Sequence, residues 1–166
     1  MFYLELFGGL EKAQVRYVLV GGLAMNLHGV ERATMDIDIA VALDPVNLKS
    51  AIDMLRQLDL QPIIPVTWEQ ILAPGQLERW YIEKQLIALG LQKRTGFAPT
   101  VDLLTHIPID FERLHANRVV KDLGGIHISV ASVDDLIDLK RDTGRKIDAS
   151  DIEALELVKL VDKTKS

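Results

Sequence analysis

Cysteine is absent from the 166 residues, which removes disulfides, thiolate nucleophiles and cysteine zinc sites. No apolar run approaches the ~18 residues of a membrane-spanning helix. The first residues lack a basic segment followed by an apolar one, so no secretory leader is expected. A cytoplasmic protein with no membrane partner fits these absences. Basic excess is missing too: 19 lysines and arginines face 24 aspartates and glutamates, a formal net charge of −5. Proteins that follow a phosphate backbone usually carry a basic face. The local cluster of Lys140, Arg141, Arg145 and Lys146 does not amount to one. Repeats, low-complexity tracts and linkers are also absent. With 48% hydrophobic and 26% charged residues, the chain has the balance of one soluble domain spanning 1–166.

What is present centres on Thr34-Met35-Asp36-Ile37-Asp38-Ile39-Ala40-Val41. The run reads as a buried strand that carries two aspartates. Side chains alternate faces on a strand, so Asp36 and Asp38 point one way and Ile37, Ile39 and Val41 the other. Two adjacent carboxylates repel and lose water, which costs free energy. A divalent cation between them reverses that sign, and Mg²⁺ takes a few carboxylate oxygens with water and phosphate in its other positions. The plain alternative is a strand with an acidic outer face.

Upstream, Tyr17 to Val20 reads as a central strand, broken by Gly21-Gly22. Ala24 to His28 has a helical pattern, ended by Gly29. Glycines between a strand and a helix let backbone amides approach an anion closely; otherwise they form a bare turn. Downstream, Pro99 to Thr105 sets Asp102 alone in an apolar strand. A buried acid needs a partner, which a salt bridge, a strand-end position or a shared cation would supply.

The remaining elements are read from spacing and caps. Residues 1–14 form a helix, as do Pro45 to Leu58 behind the Asp44-Pro45 start. Pro62 to Pro65 is extended, 68–73 and 76–83 are short helices, and 86–91 is a strand. A short helix over 110–116 precedes a hairpin at Gly124-Gly125. Ser132 caps a helix that ends near Lys140. A last helix opens at Asp148, with Ile152, Leu155, Leu157 and Leu160 packing inward. His28, His106, His115 and His127 lack a metal-ligand spacing and read as structural or surface residues.

Gly21-Gly22, then Arg32-x-Thr34, then Asp36-x-Asp38 resembles the signature of the DNA polymerase β-like nucleotidyltransferase superfamily. The likeness is closest to small bacterial minimal enzymes and abortive-infection toxins, and runs in order from Gly21 to Ile152. It implies an α/β (α+β) fold: a mixed β-sheet with helices mainly on one face, C-terminal helices walling a nucleotide cleft, and the acids at one edge of the sheet. It implies that Asp36, Asp38 and Asp102 are catalytic and hold Mg²⁺ (or Mn²⁺) with a nucleoside triphosphate. Gly21 and Gly22 would offer amides to the phosphates, and Arg32, Thr34 and Lys140 would complete the nucleotide site, with Asp148 bracing Lys140 or fixing the adjacent loop. From the residues alone, Lys140 equally fits a helix end whose carbonyls it serves. The implied reaction moves a nucleoside monophosphate to a hydroxyl of a protein, a tRNA or a small molecule. It extends to the toxin of a toxin–antitoxin pair, with an antitoxin as partner chain. Gly22 stands where many members have serine, and this favours the alternative of a weakened, binding or regulatory protein on the same fold.

Overall fold

A computed structural model describes residues 1–165. The sheet is built outward from β1 (Tyr17–Val20) and β2 (Asp36–Val41), which pair antiparallel with Val20 opposite Asp38. β5 (Thr100–Leu104) lies parallel to β2 on its other side, and β4 (Ala88–Lys93) and then β3 (Leu60–Pro62) continue antiparallel to that edge. Beyond β1 stand β7 (Ile126–Val130), parallel to it, and β6 (Val119–Leu123), its hairpin partner. The order β3-β4-β5-β2-β1-β7-β6 makes one mixed seven-stranded sheet. The expected α/β (α+β) class is therefore observed.

Helices follow the capping chemistry. α3 (Pro45–Gln57) starts with Asp44 accepting from the Asn47 amide at 3.0 Å and with proline in its first turn. Its stripe Leu48, Ala51, Ile52 and Leu55 is buried. α1 (Phe2–Lys12) contributes Leu6, Phe7 and Leu10 to the same core. α2 (Gly21–Leu27) begins at the first glycine itself, three residues before the sequence pattern shows helical character. α4 (Trp68–Leu72), α5 (Gln76–Lys84) and α6 (Phe111–Ala116) are short connectors. α7 (Val133–Lys140) has Ser132 as its cap, and α8 (Lys146–Lys165) packs on it. Ile37, Ile39, Val101 and Leu103 are fully buried, each stabilising the sheet by roughly 1.5–3 kcal/mol.

Three expectations need correction. The strand expected over 86–91 is shifted to 88–93. Leu86 and Ile87 instead offer their carbonyls to the Thr105 hydroxyl at 3.0 Å and the Thr105 amide at 2.9 Å, closing the loop after β5. On α8 Leu155 is buried and Ile152 packs half-buried against the core, as expected, but Leu157 and Leu160 are exposed, because α8 runs well past the eight residues of α7. Finally, the acids do not lie on a sheet edge. β2 and β5 are central strands, and their outward face carries the carboxylates.

Candidate active site

Register brings the acids together. Asp38 on β2 is directly opposite Asp102 on β5, and Asp36 is opposite Thr100. Because side chains alternate, all three acids share the face opposite Ile37, Ile39, Val101 and Leu103. Asp36 is exposed, while Asp38 and Asp102 are half-buried.

The electrostatics of this face are unbalanced. Burial, with the charges of Asp102 and Asp36 added, pushes the Asp38 carboxyl up to about 6. Burial and the charge of Asp36 also raise Asp102, partly offset by its hydrogen bond with Asp38. Among the described residues none of the three forms an ion pair. No group of three His, Cys, Asp or Glu side chains among them is drawn in tightly enough to hold a metal ion. Asp38 and Asp102 touch, whereas Asp36 acts on both through space.

The glycine turn is fitted to the acids. Gly21 has φ +72, and a Cβ there would lie 2.1 Å from Asp38 Oδ2. Only glycine allows both the left-handed backbone and that approach. At Gly22 a Cβ would lie 2.8 Å from Thr34 Cβ and 2.9 Å from its Oγ1. The Thr34 side chain thus fills the space a serine at 22 would use. Its hydroxyl donates to the Asp36 carbonyl at 3.1 Å.

Lys140 and Arg32 meet at a second acidic group. Lys140 Nζ lies 2.9 Å from Asp151 Oδ2 and 3.4 Å from Asp148 Oδ1. Arg32 Nε lies 2.9 Å from Asp151 Oδ1. Asp148 also accepts from the Thr143 hydroxyl at 2.7 Å and pairs with Arg145 at 3.1 Å. Burial opposes ionisation of Asp148, but Thr143, Lys140 and Arg145 together hold it below the usual carboxylate range. The lysine side chain is 12% exposed, and its bonds go to carboxylates rather than to the last carbonyls of α7. Its charge reaches Asp38, whose carboxyl it lowers.

Structure thus gathers Gly21, Gly22, Thr34, Asp36, Asp38 and Asp102 at one end of β2. Arg32 and Lys140 stand in an adjoining knot held by Asp151 and Asp148. Sequence reasoning passed over Asp151 as an anchor of both cations; the one signal for it was its place three residues after Asp148 on a helix. It also passed over Gly90, which faces Asp102 across the β4–β5 pair. An isolated glycine inside a strand pattern is the signal for such a close approach.

A family model described as "Nucleotidyltransferase of unknown function (DUF6036)" matches residues 5–165. No curated protein matches the chain in sequence. Solved structures share the fold. One is a lincosamide antibiotic adenylyltransferase, LnuA, with lincomycin bound: 18% identity, 95% of this chain and 94% of that one covered, TM-score 0.58. Another is an antigenic nucleotidyltransferase-like protein from Paracoccidioides brasiliensis: 18% identity, 93% and 73% covered, TM-score 0.56. A third is ANT(2")-Ia in complex with adenylyl-2"-tobramycin: 8% identity, 99% and 96% covered, TM-score 0.56.

Proposed function

Because the chain belongs to the nucleotidyltransferase family DUF6036, we propose that it moves a nucleoside monophosphate from a triphosphate to a hydroxyl acceptor at the Asp36, Asp38 and Asp102 face. The observation that carries this reading is the Asp38–Asp102 pair, adjacent in register, free of basic partners and raised in pKa, against a glycine turn too tight for any side chain.

The donor set fits a hard divalent cation. All three side chains offer oxygen, the ligand class that Mg²⁺ and Mn²⁺ take, and their unrelieved repulsion is what a cation offsets. When bound, such an ion would neutralise the carboxylates and draw charge from the triphosphate. The protein's own groups do the rest. The backbone amides opening α2 face the phosphates. The Thr34 hydroxyl lies beside the turn, 2.9 Å from where a Cβ at Gly22 would stand. Lys140 supplies positive charge toward the leaving pyrophosphate. Asp102 takes the proton of the acceptor hydroxyl. The hydroxyl oxygen then bonds to the α-phosphorus as the bond to pyrophosphate breaks.

Gly22 lacks the serine hydroxyl, which favours the alternative of a weakened protein on this fold, and it leaves room for the Thr34 side chain. Incubation with each α-labelled triphosphate, Mg²⁺ and a cell extract tests the reading. Transfer of label with pyrophosphate release is expected for one or more nucleotides. Tight nucleotide binding with no transfer and no pyrophosphate would reduce the protein to a binding module. Resemblance to abortive-infection toxins supports a narrower proposal, a toxic cytoplasmic enzyme restrained by an antitoxin chain. Growth arrest on induction, relieved by Asp38→Asn, checks it.

A further inference from the structure

The last helix carries two apolar stripes, and the fold uses one of them. On α8 the inward side is Asp148, Asp151 and Leu155, all buried. Leu157 is 63% exposed, Leu160 58% and Val161 49%. At 3.6 residues per turn these three lie together on the side opposite Leu155. Exposed apolar side chains scattered singly need no explanation. Three on one face of one helix form an amphipathic surface without its second layer.

The residues around this stripe match a second copy of the same helix, run antiparallel. Written as heptads, Leu157 and Thr164 take position a, Glu153 and Leu160 position d, Ala154 and Val161 position e, and Glu156 and Lys163 position g. Leu155 falls at f, facing away from the seam. In an antiparallel pair each a meets a d, each e an e and each g a g. Leu157 then meets Leu160 of the second copy, and the two-fold axis repeats the contact. Val161 covers the small Ala154, and Glu156 faces Lys163. Lys159 is held by Asp134 at 2.8 Å, and Glu156 approaches it no closer than 3.9 Å.

Charge along the helix separates this occupant from others. Glu153 and Glu156 precede the leucines, and Lys163 and Lys165 follow them. A partner segment of a single sign would be repelled at one end. A parallel copy would set Glu153 against Glu153 inside the seam, whereas the antiparallel copy sets it against Thr164. Antiparallel helices also oppose their dipoles favourably.

We propose that two copies of this chain associate through the outward face of α8, as an antiparallel two-fold helix pair centred between Leu157 and Leu160. Three apolar side chains per copy make a seam narrower than the roughly 800 Å² per partner of a standard interface, so the dimer is weak and reversible. The seam faces away from Asp148 and Asp151, and pairing leaves their contacts with Lys140 and Arg32 in place.

Sedimentation equilibrium of the whole protein, from micromolar to millimolar concentration, tests this. A reversible monomer–dimer equilibrium is expected. Leu160→Glu places a charge in the apolar seam and should raise the dimer Kd by roughly tenfold or more. The melting temperature of a dilute sample should not move, because the side chain is exposed in the monomer. Glu156→Lys and Lys163→Glu should each weaken the dimer, and both changes in one chain should restore it. A monomer at every concentration overturns the proposal, as does a dimer that Leu160→Glu leaves intact. A double charge reversal that fails to recover association overturns the antiparallel register.

Discussion

Two groups of aspartates lie close together in this protein and have opposite electrostatic fates. Asp148 and Asp151 are almost wholly buried, yet each is met by cations: Lys140 reaches both, Arg32 holds Asp151 and Arg145 holds Asp148. Asp36, Asp38 and Asp102 are more open to water but meet one another instead, and burial with mutual repulsion raises Asp38 and Asp102. The first group is satisfied by the fold. The second has no ion pair among the described residues and feels Lys140 only through space, and an acidic cluster in that condition is a candidate site for a cation. Burial alone does not separate the two groups; their partners do.

Breaking the satisfied group has the largest expected effect on stability. Asp151→Ala leaves Lys140 and Arg32 without their shared carboxylate, and truncating one member of a buried charge network costs about 3–5 kcal/mol. Chemical denaturation should show that loss; a midpoint close to the parent's would mean that the knot is not needed for folding.

The unsatisfied group should reveal itself through pH. Asp38 ionises near 3.8 when unfolded and at about 6 when folded. The unfolded chain therefore releases the proton first. Stability associated with Asp38 is full below about pH 4 and lost as pH rises through about 6, at most about 3 kcal/mol for a partly buried group. Denaturation of the metal-free protein from pH 4 to pH 8 should show this downward step, with Asp38→Asn lacking it. Saturating Mg²⁺ with triphosphate should reduce the step.

Lys140 belongs to the satisfied group by its bonds and to the other by its field, so it sharpens the contrast. Lys140→Ala should lower triphosphate affinity by roughly tenfold or more, as a charge-assisted hydrogen bond of about 1.5–3 kcal/mol predicts. If titration calorimetry finds affinity unchanged for all four nucleotides while the melting temperature falls, Lys140 serves the knot alone.

The smallest effect is at the turn. Gly22→Ser drives a Cβ into Thr34 and should destabilise by about 1–3 kcal/mol. Pairing it with Thr34→Gly removes the clash and should restore both folding and nucleotide affinity. An additive double mutant would show that Thr34 does not occupy the serine's place.

The central features were legible in the sequence because they obey local rules. The two-residue period fixes Asp36 and Asp38 to one face, and the lone acid among Val101, Leu103 and Leu104 marks Asp102 as a residue needing a partner. Asp44-Pro45 and Ser132 set their helix starts by capping chemistry alone. What was not legible depends on pairing across the chain. The register that sets Gly90 against Asp102 is decided by β4 and β5 together. The shift of that strand to 88–93 follows from Thr105 claiming the carbonyls of residues 86 and 87. The burial expected for Leu157 and Leu160 fails because periodicity marks a stripe but not whether another element covers it. Arg32 and Lys140 were read as nucleotide ligands, and their common anchor at Asp151, more than a hundred residues from Arg32, is invisible to spacing.

Asp38→Asn gives the most direct test of the claim that these carboxylates form the site for cation and triphosphate. Two quantities are measured on one preparation: unfolding free energy without metal at pH 8, and triphosphate binding in Mg²⁺. The account predicts a variant as stable as the parent or more so, by up to about 3 kcal/mol, with Mg²⁺-dependent binding abolished. A variant that is less stable yet binds triphosphate and Mg²⁺ like the parent would make Asp38 a structural residue and contradict the account.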